Sequence, residues 1–182
     1  MFEDAPQKFR DALPRYAEAK VLVSIGPDYH GREARLAPEA AHAWARMSSA
    51  AATAGLQLLL ISAFRSLAYQ ETILRRKREQ GLTWEEILRV SAYPGFSEHH
   101  TGCAVDIASA ECPELVEAFE RTREFHWLAT NANRFGFSMS YPRDNQAGVV
   151  FEPWHWRWRR KRRIQRPEHN TGATSPSAST PG

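Results

Sequence analysis

Two short stretches hold most of the side chains able to do chemistry. The first, SEHHTGCAVDI (Ser97–Ile107), sets His99 and His100 ahead of Gly102 and Asp106. The second, FEPWHWRW (Phe151–Trp158), places Glu152 and His155 three residues apart. Imidazole and carboxylate are the usual zinc ligands outside thiolate sites. A catalytic zinc takes three of them and keeps one position open. A carboxylate that is not a ligand can then accept a proton from water. His99, Asp106 and His155 as ligands, with Glu152 as base, would complete such a set. A polar turn leading into an edge strand accounts for the first stretch as well, and E-x-x-H is common by chance. The residues alone leave both readings open, and leave His99 and His100 as alternatives.

Strand alternation sorts the first stretch further. Cys103, Val105 and Ile107 share one face, which reads as core. Ala104, Asp106 and Ala108 share the other, where two small neighbours leave room beside the carboxylate for an ion and a substrate. In the second stretch Trp154, Trp156 and Trp158 alternate with His155 and Arg157, so the tryptophans read as a packed strand face. Trp154 also stands where it could border a pocket.

The elements that must position these groups can be read from pattern. KVLVS (20–24) reads as a strand. Residues 38–53 read as a helix, with Pro38 in its first turn, Ala41, Trp44, Met47 and Ala51 at helical spacing, and Gly55 as its stop. LQLLLIS (56–62) is a buried strand, and SAFRS turns from it into a helix over 67–80. Thr83 and Glu86 form a capping box for a short helix, TWEEILRV. CAVDIAS is a strand. A single long helix is expected from about Pro113 to Phe135. GFSMSYP and GVVFEPWHWRW are strands around a turn at RDNQAG. The order predicts an α+β fold, a small antiparallel sheet flanked by helices, rather than regular β-α-β alternation.

Composition narrows the class. The 182 residues are 42% hydrophobic, enough for one domain with a real core. The run RWRRKRRIQR (157–166) holds seven basic residues and no acid, and setting it aside turns a net charge of +3 into −4. The high pI therefore describes a short run, not a basic fold, which makes nucleic-acid binding a weak reading. Cys103 and Cys112 are too few for a disulfide framework and are read as free thiols. The N-terminus has early acids and no apolar core of a signal peptide, and no window approaches the roughly 18 apolar residues of a membrane span. The expectation is a cytoplasmic protein. Residues 1–35 read as an N-terminal extension packed on the domain, 36–160 as the domain itself, and 161–182 as the basic run with a disordered Ser/Thr/Pro tail.

SEHHTGCAVD fits the motif S-x-H-x-x-G-x-A-x-D, and EPWH fits E-x-W-H. In this the chain resembles the LAS metallopeptidases, which are zinc D-alanyl-D-alanine carboxypeptidases of the vancomycin-resistance, VanY-like type, similar in fold to the Hedgehog signalling domain. The resemblance runs from about Leu36 to Trp158. SAFRS with Tyr69-Gln70 looks like the family's S-G-Y-R-S element and its Y-x-x-Q or Y-Q element. YPGFSEHHTG looks like its P-G-x-S-E-H-x-T-G loop. Phe64, Ala63 and Cys103 depart from the usual Tyr, Gly and Leu, and the Tyr141–Phe151 loop is short.

The resemblance implies zinc held by His99, Asp106 and His155, with Glu152 as general base. It implies that Arg65 stabilises an oxyanion or holds a substrate carboxylate, and that Ser97, Gln70 and Trp154 contact substrate. It selects His99 over His100, leaving His100 as a turn or supporting residue. The implied substrate is a peptidoglycan stem peptide or muropeptide that loses its terminal D-alanine, by cleavage of a D,D or an L,D bond. An endopeptidase and a zinc-bearing binding module are the alternatives. Glu152 and Arg65 count against the second, because a structural zinc needs neither.

Overall fold

The computed structural model describes residues 14–160. Its centre is a four-stranded antiparallel sheet built from β3 (Leu59–Ser62), β4 (Ala104–Ala108), β5 (Phe137–Met139) and β6 (His155–Trp158). Their order across the sheet is β3-β4-β6-β5. A separate ribbon pairs β1 (Val23–Pro27) with β2 (Glu33–Leu36). Four helices flank them: α1 (Pro38–Thr53), α2 (Leu67–Glu79), α3 (Trp84–Val90) and α4 (Arg123–Asn131). The expected α+β class with a small antiparallel sheet is what the chain forms.

Strand β4 is buried along its whole length, flanked by β3 on one edge and β6 on the other. Its Val105 and Ile107 enter the main core with Leu36, Trp44, Met47, Phe119, Leu128, Phe137 and Trp156. A second cluster of Leu74, Trp84, Ile87, Tyr93 and Phe96 joins α2 and α3 to the loop that precedes Ser97. α1 begins at Pro38, and α3 carries the full Thr83–Glu86 capping box, both as the sequence predicts.

Three expectations change. The long helix from Pro113 is broken into a 3-10 turn (Glu117–Arg121), α4, and a second 3-10 turn (Ala132–Phe135). The break is at Thr122, whose backbone is extended. Its hydroxyl accepts from Phe125 N (3.2 Å) and donates to Phe119 O (2.8 Å), so it caps a new helix instead of continuing an old one. The strand expected over GVVFEPWHWRW is confined to β6, because His155 N donates to the Glu152 carbonyl (3.2 Å) in a turn that lifts Glu152 off the sheet. The first strand starts at Val23 rather than Lys20 and carries a bulge between Ser24 and Pro27. The tail and most of the basic run lie outside the described residues. Within them, Arg160 pairs with Glu39 at the surface (2.6 Å).

One glycine is required by two constraints at once. Gly102 closes the 3-10 turn Glu98–Thr101 with φ 64°, the left-handed region. A Cβ there would come within 2.8 Å of Leu22 Cδ2 and 2.9 Å of Ala37 N, while the Gly102 carbonyl accepts from that same Ala37 N. Gly102→Ala is therefore expected to destabilise the fold by about 2 kcal/mol or more, from the backbone penalty plus overpacking. A denaturant melt that matches the wild type would contradict this.

Candidate metal centre

Strand register brings two of the predicted groups together. Asp106 on β4 stands directly across from His155 on β6, so both side chains leave the sheet on one face. His155 Nδ1 lies 3.0 Å from Asp106 Oδ1. The Glu98–Thr101 turn delivers His99 to the same face, with Nε2 3.2 Å from Asp106 Oδ2. One donor atom from each of His99, Asp106 and His155 falls within 4.8 Å of the others, and all three residues are buried.

The chemistry of this set suits a cation. His99 Nδ1 is 2.6 Å from the Ala63 carbonyl, a pure acceptor, so the ring proton sits there and Nε2 carries a bare lone pair. That Nε2 is buried with no hydrogen-bond partner, although a carboxylate oxygen lies beside it. Two acceptors this close need a positive charge between them. Burial, and then the neighbouring Arg65, push the His99 pKa down to about 4, so a proton does not fill that role near neutrality. The three residues thus form a site that could hold a metal ion.

The predicted supporting residues sort into distinct positions. Glu152 lines the same cleft, and its carboxylate has neither a hydrogen bond nor an ion pair among the described residues. Burial raises its pKa to about 7, against opposing attraction from His155. Arg65 donates from Nη2 to Asp106 Oδ2 (2.9 Å) and from Nη1 to Gln70 Oε1 (3.3 Å). Gln70 is fully buried and also donates to Ala92 O (2.8 Å), so it stands behind Arg65 rather than open to the cleft. Ser97 and Trp154 line the cleft. His100 does not join the centre. Its Nδ1 meets Arg65 O (2.6 Å), and its Nε2 accepts from Gly95 N (3.1 Å), which holds the loop together.

Three further cleft residues carry no role in the motifs. Glu98 accepts from His155 Nε2 (3.0 Å) and from Ser140 Oγ (2.5 Å). Tyr141 lays its ring against that of His155, 5.0 Å between centroids. Burial, then Glu98 and Glu152, raise its phenol pKa. Lys77 donates to Ser91 Oγ (2.7 Å) and has no carboxylate partner among the described residues. Glu98 adjoins a motif histidine and is itself a letter of the P-G-x-S-E-H-x-T-G loop pattern, which was the signal available for it. The cleft encloses about 490 Å³ and adjoins a groove of about 520 Å³ on which Arg65, Ile73, Asp106 and Leu115 also border. A larger concavity of about 880 Å³, between β1, α1 and residues 55–58, is lined by no titratable side chain, so size does not mark the site.

A small antiparallel sheet presenting a His-Asp-His set, with an uncommitted carboxylate beside it, defines the LAS type of metallopeptidase scaffold. Residues 33–161 match the family model VanY, D-alanyl-D-alanine carboxypeptidase, and the chain belongs to that family. YodJ of Bacillus subtilis (strain 168) is 39% identical over 124 residues, covering 66% of this chain. VanXYC of Enterococcus gallinarum, a bifunctional D-Ala-D-Ala dipeptidase and carboxypeptidase, is 30% identical over 131 residues, covering 68% of it. The chain spans 45% of the length of YodJ and 66% of VanXYC. Among solved structures, the LdcB LD-carboxypeptidase superposes with a TM-score of 0.67 at 35% identity, covering 80% of this chain and 71% of that one. A VanY D,D-pentapeptidase variant in complex with Zn(II) superposes at 0.59 and 26%, covering 80% and 82%. No helix among the described residues is long and apolar enough to cross a membrane.

The buried histidines make metal-free stability depend on pH. Burial alone would lower the His155 pKa, but its hydrogen bonds to Asp106 and Glu98 overcome that and raise it to about 9. An unfolded histidine releases its proton near 6.5. The stabilisation is therefore complete below pH 6.5 and lost as pH rises through 9. Glu152, raised from 4.5 to about 7, acts in the same direction, but its contribution is gone by neutrality. The expected result is a falling Tm for the chelator-treated protein between pH 7.5 and 9. His155→Gln should flatten that interval, and an equal fall in that variant would refute the assignment.

Proposed function

We propose that the chain is a zinc-dependent carboxypeptidase that removes the C-terminal D-alanine from peptidoglycan stem peptides. The observation that carries this reading is the meeting of His99, Asp106, His155 and Glu152 in one cleft, with the first three close enough to share an ion. His99 through Nε2, Asp106 through its carboxylate and His155 through Nδ1 would hold the metal. A zinc ion held there supplies Lewis acidity, lowering the pKa of water and polarising a carbonyl. Residues 36–160 would form the catalytic domain, with the preceding segment packed on it.

Glu152 takes the proton from the attacking water and gives it to the leaving amine as the peptide C–N bond breaks and a C–O bond forms. A pKa near 7 suits a group that must both accept and return a proton near neutrality. Arg65, fixed by Asp106 and Gln70, presents a guanidinium to the charge that develops on the carbonyl oxygen. Tyr141 and Trp154 wall the cleft and limit water. Ser97 offers a hydroxyl to the bound peptide.

Cleavage of a terminal residue is supported by the cations of the cleft. A carboxypeptidase must grip a free carboxylate, and an endopeptidase meets none. Lys77 and Arg65 line the same cavity, and Lys77 has no acidic partner among the described residues to neutralise it. Burial and Arg65 together lower its pKa, a cost that an anionic ligand would relieve. Both the D,D and the L,D bond remain within this reading. The VanXYC relative acts on D-Ala-D-Ala, and the LdcB neighbour is an LD-carboxypeptidase.

The test is product analysis by mass spectrometry with muramyl tetrapeptide, muramyl pentapeptide and a C-terminally amidated pentapeptide, with and without chelator. Chelator-sensitive loss of one alanine from the tetrapeptide identifies an L,D enzyme, and loss from the pentapeptide identifies a D,D enzyme. Cleavage of the amidated peptide at an internal bond would replace this reading with an endopeptidase, and no cleavage by zinc-loaded protein would replace it with a binding module. Glu152→Gln is expected to lower kcat by about 10²- to 10⁴-fold with zinc content unchanged. Lys77→Gln is expected to raise KM about tenfold or more while kcat moves less.

A further inference from the structure

Glu98 is a buried carboxylate that the hydrolytic steps do not use. It is 4% exposed, and four donors saturate it. His155 Nε2 (3.0 Å) and Ser140 Oγ (2.5 Å) reach Oε2. Arg157 Nη1 (2.7 Å) and the Tyr16 hydroxyl (3.3 Å) reach Oε1. Arg157 Nη1 also donates to Tyr16 OH (3.1 Å), and its guanidinium lies 4.7 Å above the Tyr16 ring.

Tyr16 comes from a segment ahead of the matched residues 33–161. That segment is tied across the loop that carries His99. Tyr16 N donates to Gly95 O (2.7 Å), and Ala19 N donates to His100 O (2.8 Å). The Glu18 carboxylate accepts from Leu67 N at the start of α2. Leu22 packs against Gly102 at the end of the same loop. Arg157 comes from β6, two residues after His155 and on the same face. One carboxylate therefore joins a metal-ligand candidate, its own strand, its neighbouring loop and the leading segment.

His155 faces carboxylates on both ring nitrogens. To bind a metal through Nδ1 it must keep its proton on Nε2, and that proton needs an acceptor at a fixed place. Glu98 is that acceptor. We propose that Glu98, clamped by Arg157 and by Tyr16 of the leading segment, is a positioning residue that sets the tautomer and ring orientation of His155 for metal binding. The proposal rests on the metal-centre reading. It adds that this centre depends on residues ahead of the family-matched region. Outer-shell partners of this kind typically govern metal affinity by 10- to 100-fold.

The experiment is zinc affinity by competition with a chromophoric chelator, on the full chain, for wild type, Glu98→Ala, Glu98→Gln and Tyr16→Phe. Glu98→Ala is expected to bind zinc about 10- to 100-fold more weakly. Glu98→Gln, which retains an acceptor oxygen, is expected to recover part of that loss. Tyr16→Phe is expected to lose about two- to tenfold, the worth of one hydrogen bond. Tyr16 is only partly buried, so this variant carries the test if Glu98→Ala fails to fold. Wild-type affinity in both Glu98→Gln and Tyr16→Phe, or in Glu98→Ala, overturns the positioning role and leaves the metal centre standing. Wild-type protein that takes up no zinc overturns the metal centre itself, and this inference with it.

Discussion

The pairing of Asp106 with His155 across two antiparallel strands is the constraint on which the rest of the site depends. Antiparallel register decides which side chains share a face, and a slip of one residue would send Asp106 into the core and Val105 into the cleft. The register is held from both sides. Val105 and Ile107 are buried in the main core, and Trp156 is buried opposite Val105 on β6. Hydrophobic burial thus selects the one alignment in which a carboxylate and an imidazole stand 3.0 Å apart.

Such a concentration of polar groups is costly unless each is paired. Here nearly every one is. Asp106 meets two histidines and Arg65, and its pKa falls well below the carboxylate range despite burial, because His99, His155 and Arg65 outweigh desolvation. Glu98 falls to about 2 for the same kind of reason, with His155, Ser140 and Arg157 outweighing burial. The exceptions are the Nε atoms of Arg65 and Arg157, whose guanidinium groups bond through Nη instead, His99 Nε2, and the Glu152 carboxylate, which has no hydrogen bond or ion pair among the described residues. The last two are acceptors, and they are the atoms that a metal-assisted hydrolysis would use.

The loop from Tyr93 to Gly102 converts this electrostatic set into a rigid one. Tyr93 and Phe96 anchor it in the second core cluster. His100 bonds at both ring nitrogens, to the loop itself and to the Arg65 carbonyl. Gly102 ends it in a conformation that few other residues adopt. The leading segment crosses above through Tyr16 and Ala19. The geometry of His99 therefore comes from packing on several sides rather than from the short 3-10 turn alone.

Much of this was legible in the residues. Periodicity placed α1, α2, α3 and β4, and the capping box at Thr83 located α3 to the residue, because these signals are local. Two motifs with fixed internal spacing named His99, Asp106, His155 and Glu152, since ligand chemistry restricts residue type and the strand restricts spacing. The break at Thr122 was less visible, because a helical stripe on either side masks a capping hydroxyl. Gln70 read as a substrate contact, but only its burial and its bonds to Arg65 and Ala92 reveal it as a support. Tyr16 and Lys77 are ordinary surface types in the sequence, and Glu98, though a letter of the P-G-x-S-E-H-x-T-G loop, has no stated role there. Their roles come from bonds between residues as far as 141 positions apart, as between Tyr16 and Arg157. Residue type and local spacing establish which side chains can do the chemistry. Which of them are pointed, buried and paired so as to do it is settled by the folded chain, because desolvation and long-range contacts have no local signature along the chain.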